Sequence, residues 1–183
     1  ALMVMTAAAT SRGHAQSKAG TTVGQFLLIE PSARVAAMGN AGVALSDGIQ
    51  AIYFNPAAAA RVESHALQFT HTPWLADITH DYAALVVPVK GVGSFFASFT
   101  SLGSGEIDVR TVELPLGTGE RYTVSNLAIG VGYGRSITPR FSAGLQANYI
   151  EETIWHTSAR TVTFNVGTVY RLTETGLQLG SSL

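Results

Sequence analysis

The chain has 183 residues, of which 46% are hydrophobic and only 13% are charged, and it contains 19 glycines and no cysteine. Soluble domains carry about 25% charged residues, so the chain is poor in charge, while its hydrophobicity excludes intrinsic disorder. The net charge of −1 argues against nucleic acid as a partner, and the lack of cysteine excludes a disulfide scaffold, a cysteine-based zinc finger and a thiol nucleophile.

The first fifteen residues have the pattern of the end of an export signal. Nine mainly apolar residues are followed by small and polar ones, and Gly13 and Ala15 have the spacing of a signal-peptidase site. We interpret residues 1–15 as a partial signal peptide; the alternative is the alanine-rich N-terminus of a cytosolic protein. No later stretch reaches the ~20 apolar residues that a membrane helix needs, which leaves a soluble exported protein or a closed β-barrel.

Residues 16–63 are rich in glycine and alanine and show no alternation. Asp47-Gly48 predicts a turn, and Asn55-Pro56 predicts another turn or the start of a short helix. A compact, uncharged segment of small residues suits packing inside a lumen, where backbone must approach backbone. We predict that this segment is a hatch, or plug; the alternative is a periplasmic linker.

From residue 64 onward the sequence alternates with the period of two that opposite faces of a β-strand require. One face carries bulky apolar residues such as Leu145, and the other carries Gly, Ser, Asn and Gln with almost no charge, unlike the outward face of a soluble sandwich. We predict seven strands, at about residues 65–72, 80–89, 92–102, 122–133, 141–152, 160–171 and 176–183. Four amides are predicted to face the lumen: Asn126, Gln146, Asn148 and Asn165.

Aromatic residues and link lengths both favour a membrane barrel. Short links follow the second, fourth and sixth predicted strands, and longer links include residues 103–121 and 152–159, which are candidate partner surfaces. This is the outer-membrane pattern, with short turns in the periplasm. Bacterial barrels have an even number of strands, so these seven cannot close one. We therefore expect residues 64–183 to be the N-terminal half of a transmembrane antiparallel barrel. Aromatics near strand ends resemble the interfacial girdles: Tyr82, Tyr122, Tyr133, Phe141, Tyr149, Trp155 and Tyr170.

The sequence contains no convincing catalytic site. Glu151 and Glu152 are adjacent on a predicted strand and so point to opposite faces. The glycines of residues 130–134 share one strand face, which favours close packing over nucleotide binding. We therefore expect no enzyme activity, no metal and no cofactor. The histidines lack ligand spacing and are expected in exposed loops or at a rim: His65, His71, His80 and His156.

Several motifs together resemble the PorV/PorQ family of outer-membrane proteins, which are related to the FadL-type fatty-acid transporters. They are the segment 24–28, the run 36–42, the Ser46-Asp47-Gly48 turn and residues 53–57. The resemblance covers residues 24–183 and implies a FadL-like barrel with an internal hatch. Ala58 stands where the family pattern has glycine. The resemblance places these residues in the hatch: Met38, Gly39, Gly42, Asn55, Pro56 and Ala57.

The resemblance also implies a function. Members of this type act in type IX secretion, where they hold cargo proteins at the outer membrane for transfer to the surface attachment machinery. The expected partners are outer-membrane lipid, secreted cargo proteins and other subunits of the secretion machine. Two alternatives remain at this point: a FadL-like channel for small hydrophobic compounds, and a soluble exported β-protein.

Overall fold

A computed structural model of the chain describes residues 22–45, 47–173 and 176–183. The predicted signal segment, residues 1–15, and Ser46 of the predicted turn lie outside the described residues. Within them, no helix is both long and apolar enough to cross a membrane. Short helices occupy the first part of the described chain, and strands occupy most of the rest, with one further 3-10 helix, Leu75–Asp77, between the first two strands.

Seven strands form one antiparallel sheet in the order β1-β2-β3-β6-β7-β8-β9. Each predicted strand overlaps one of them, and the prediction of an all-β antiparallel fold is confirmed. The bounds are β1 Ala66–Pro73, β2 Thr79–Val89, β3 Gly93–Gly103, β6 Val124–Ser136, β7 Phe141–Ile154, β8 Thr157–Arg171 and β9 Gln178–Ser182. The long link between β3 and β6 contains a separate two-stranded ribbon, β4 (Ile107–Asp108) and β5 (Arg121–Tyr122).

Residues 22–45 and 47–63, here called the plug, cover one face of the curled sheet. They contain three 3-10 helices, Gln25–Leu28, Ile49–Tyr53 and Pro56–Arg61, and one short α-helix, α1 (Ala33–Ala37). The covered face is called the inner face and the opposite one the outer face. The main apolar cluster lies between plug and sheet and includes Ala51, Ile52, Ala58, Tyr82, Val86 and Phe96.

The bulky side chains of the outer face remain exposed. Leu67 is 77% exposed, and Phe164 is 76% exposed. Within the described residues the seven-stranded sheet is joined by no second sheet larger than the β4–β5 ribbon. Within the part of the chain that the structure describes, no second sheet therefore covers the hydrophobic residues of this face.

Three expectations from the sequence are wrong. Tyr82 is fully buried on the inner face, so it belongs to no girdle, because the plug packs on that face. His80 is also fully buried, near the start of β2, and does not lie in an exposed loop. Residues 152–159 are not a long link, since β7 and β8 are joined by only Trp155 and His156. Trp155 adopts a φ of 54°, the left-handed conformation that two-residue hairpin turns require.

Candidate functional site

Asn55 joins the plug to the sheet. Its side chain is fully buried, and its amide nitrogen donates to the carbonyl oxygens of Val43 at 2.8 Å and Thr168 at 3.0 Å. Its Oδ1 accepts the N–H of Ala57 at 3.0 Å, which caps the helix that follows. Asparagine is favoured at this position, and Pro56 occupies the first helical position, where a missing N–H costs nothing. The Asn-Pro-Ala motif thus starts a helix and anchors it to β8.

A row of small residues across five strands forms the seat of that helix. A Cβ atom added to Gly144 would lie 2.6 Å from the Ala57 nitrogen, and one added to Gly134 would lie 2.9 Å from the Pro56 oxygen. Both distances are shorter than real Cβ contacts, so the helix approaches the sheet this closely only because side chains are absent. The row, paired in register from β3 to β9, consists of Ser94, Gly134, Gly144, Gly167 and Ser182.

A small polar cavity of about 160 Å³ lies between the plug and the inner face. Gly130 is at its centre: a Cβ atom there would come within 2.5 Å of polar atoms of Ser98, Gln146 and Asn148. The glycine therefore lets three polar side chains converge. The residues that line the cavity include no ionisable acid or base other than Tyr53, so the cavity suits water or uncharged polar groups.

Tyr53 borders this cavity from the plug side. Its hydroxyl shares its one hydrogen between the carbonyl oxygens of Leu27 at 2.7 Å and Ile29 at 3.0 Å, and its ring packs edge to face against Tyr82 with ring centroids 5.3 Å apart. Burial, and to a smaller extent the charge of Glu30, raises the pKa of the Tyr53 phenol. The hydroxyl therefore stays protonated at neutral pH and holds two segments of the plug together.

The predicted hatch residues fall into two groups. Met38 and Gly39 are exposed at the end of α1, where Gly39 has a φ of 66° of the kind that ends helices. Gly42 is buried, and a Cβ there would lie 2.6 Å from the ring of Phe54. The structure buries four of the six: Gly42, Asn55, Pro56 and Ala57.

All four predicted lumen-facing amides lie on the inner face, and the structure brings three of them together. Gln146, Asn148 and Asn165 line the polar cavity. Asn126 lies nearer the opposite end of the sheet, paired in register with Glu152 of β7. Ser98 and Thr100 also line the cavity but were not predicted from the sequence. Their alternation with Phe95 and Phe99 along the strand could have indicated that they face the lumen.

Glu151 and Glu152 point to opposite faces, as predicted. Glu151 accepts a hydrogen bond from Arg160 at 2.7 Å on the outer face. Glu152 accepts the N–H of Gly24 at 2.7 Å and so ties the start of the plug to β7. No sequence pattern indicates this second contact. No group of three or more potential metal ligands occurs within the part of the chain that the structure describes.

The link 103–121 offers an exposed second surface. At its base, Arg121 pairs with Glu106 at 2.5 Å and Asp108 at 3.2 Å. At its tip, Val112 is 100% exposed and Leu116 is 94% exposed. Exposed apolar residues on an anchored loop are a common feature of partner-binding sites.

A curled antiparallel sheet with an apolar outer face, and an inner face filled by a plug, defines the class of plugged, barrel-like β-proteins. Within that class the chain matches, over residues 12–169, the family described as Type IX secretion system protein PorV, and it belongs to that family. The family resemblance of the sequence is thereby confirmed, and the chain is associated with type IX secretion. A search of the curated proteins gave no match.

Proposed function

We propose that this chain is part of an outer-membrane protein that holds cargo proteins of the type IX secretion system for transfer to the surface attachment machinery. Its family supports the link to secretion. The observation that carries the membrane placement is the outer face, where Leu67, Phe69 and Leu145 are 77%, 70% and 59% exposed. Contiguous apolar surface of this kind requires a hydrocarbon or protein partner.

The proposed contact for cargo, or for another subunit of the machine, is the tip of the link 103–121. Val112 and Leu116 present apolar side chains there, and the ion pairs of Arg121 hold the base of the loop. Such an anchored loop presents its apolar tip with less conformational freedom to lose on binding.

The plug supports a binding role over a channel for hydrophobic compounds. Asn55 fixes it to the sheet by donating a hydrogen bond to the carbonyl oxygen of Thr168, and the glycines of the small-residue row let the Pro56–Arg61 helix lie close against the sheet. The nearby cavity is lined by both polar and apolar residues, and its volume of about 160 Å³ is below the ~300–1,000 Å³ of typical ligand pockets. A channel would require the plug to leave its seat.

The test uses the full-length gene. Membrane fractionation with a heat-modifiability gel reports insertion; a protein that stays soluble without detergent contradicts the membrane placement and supports the soluble alternative. A deletion strain is then complemented with wild type, with the double variant Val112→Asp, Leu116→Asp, and with the control Glu113→Gln from the same loop. We expect the double variant alone to lose surface display of secreted proteins. If the deletion strain itself displays secreted proteins normally but no longer takes up a hydrophobic compound, the channel is favoured instead.

A further inference from the structure

The charged residues are divided unequally between the two rims of the sheet. The short-turn rim is the one that holds the links β2–β3, β6–β7 and β8–β9. Within the described residues it carries one carboxylate, Glu63, and five cations: Arg61, Lys90, Arg135, Arg140 and Arg171. The opposite rim carries three arginines (Arg110, Arg121 and Arg160) and eight carboxylates: Asp77, Asp81, Glu106, Asp108, Glu113, Glu120, Glu151 and Glu152.

An apolar trough of about 440 Å³ lies on the outer face beside the short-turn rim. Ala143 stands between the larger side chains of Tyr133, Leu145 and Val166, which also line the trough. Arg135 lies directly opposite Ala143 in the strand register and lines the trough as well. The trough therefore combines an apolar bed with a guanidinium group at its edge.

Arg135 is available to a ligand. It is exposed, and it makes no hydrogen bond or ion pair with any residue that the structure describes. At the opposite rim, Arg160 is paired with Glu151 at 2.7 Å and Arg121 with Glu106 at 2.5 Å. An anionic group that approaches the outer face thus finds an uncompensated guanidinium at the short-turn rim.

Aromatic residues at the same rim indicate the depth of a membrane interface. Phe141 packs against Tyr170 with ring centroids 6.5 Å apart, and the Tyr133 hydroxyl donates to the Val92 carbonyl oxygen at 2.5 Å. Aromatic side chains of barrels concentrate at the level of the lipid headgroups. Arg135, two residues from Tyr133 on the same strand face, therefore lies next to these aromatic residues.

We propose that this trough binds a phospholipid of the leaflet on the short-turn side, with an acyl chain on Ala143 and the phosphate at Arg135. Guanidinium groups bind phosphate through paired hydrogen bonds, and basic clusters at the membrane surface favour anionic headgroups. The inference rests on the proposed membrane placement. It adds a specific lipid site to a surface that would otherwise contact lipid without selection.

The experiment reconstitutes the full-length protein into vesicles of phosphatidylcholine with an equal share of anionic phosphatidylglycerol. Flotation reports membrane association, and native mass spectrometry after mild detergent extraction counts the retained lipids. We expect wild type to retain phosphatidylglycerol in preference. Arg135→Gln should reduce that preference about fivefold, whereas the control Arg160→Gln should not change it. Ala143→Leu fills the trough and should abolish retention, whereas Ala97→Leu, on the outer face of β3, should not.

Equal retention by the Ala143→Leu and Ala97→Leu variants would overturn the acyl-chain site, and an unchanged preference in Arg135→Gln would overturn the phosphate contact. Should Ala143→Leu fail to fold, the smaller Ala143→Val is expected to lose part of the retention. Wild-type protein that does not float with vesicles contradicts the proposed function itself. Flotation without selective retention refutes only the lipid site.

Discussion

Gly144 is the centre of the small-residue row, and its replacement by alanine tests whether that row seats the plug. The added Cβ would lie 2.5 Å from the Pro56 oxygen and 2.6 Å from the Ala57 nitrogen, where ordinary contacts begin at 3.4 Å. Both neighbours are backbone atoms, so the helix must shift by roughly 1 Å. Overpacking of this kind costs about 1–3 kcal/mol, and each weakened Asn55 hydrogen bond adds about 1 kcal/mol.

We therefore expect Gly144→Ala to favour release of the plug by about 2–4 kcal/mol. The chain has no cysteine, so Ala51→Cys, at a fully buried plug position, provides a single site for maleimide labelling. The Gly144→Ala variant should label at least about 30-fold faster than its parent. Gly103→Ala is the matched control, because its Cβ would be 3.9 Å from the nearest atom. Equal labelling rates in both glycine variants would refute the role of the small-residue row in holding the plug against the sheet.

Three further substitutions test the faces, the anchor and the loop. Leu145→Arg on the outer face should lower the free energy of unfolding in bilayers by about 2–4 kcal/mol near the midplane, and the apolar replacement Leu145→Met by less than about 1.5 kcal/mol; equal losses in a denaturant titration would show that this face does not contact hydrocarbon. Asn55→Ala should cost about 1–3 kcal/mol in the same titration, and a variant as stable as wild type would contradict the anchor. Arg121→Ala should leave stability unchanged, since exposed ion pairs contribute little, yet chymotrypsin should cut the link 103–121 faster. An unchanged cleavage rate would mean that these pairs do not hold the ribbon.

The strands and their faces could be predicted because alternation is a local property of the chain. Leu145 and Gln146 are neighbours, and their opposite exposure follows from strand geometry alone. The plug motif could be recognised, but its contacts could not. Asn55 and Thr168 are 113 positions apart, and no local pattern specifies which strand accepts a hydrogen bond from a buried amide.

The failures have a common physical source in tertiary packing. Alternation shows that a strand has an apolar face but not what covers it, so Tyr82 could be taken for an interfacial residue although the plug buries it. His80 was misplaced for the same reason. The β7–β8 turn was missed because Trp155, rather than glycine or asparagine, takes the left-handed conformation there, and tertiary context overrides the usual preference.

The anchoring of Asn55 has a consequence for the order of folding. Its amide nitrogen also lies 3.3 Å from the carbonyl oxygen of Ser181 in β9, 126 positions along the chain. Such distant partners meet only after the long chain between them has lost conformational entropy in bringing its ends together. The plug around Asn55 therefore reaches its place only after β8 and β9 have formed, and an escort that shields apolar segments during transit would have to hold the plug until those strands are in position.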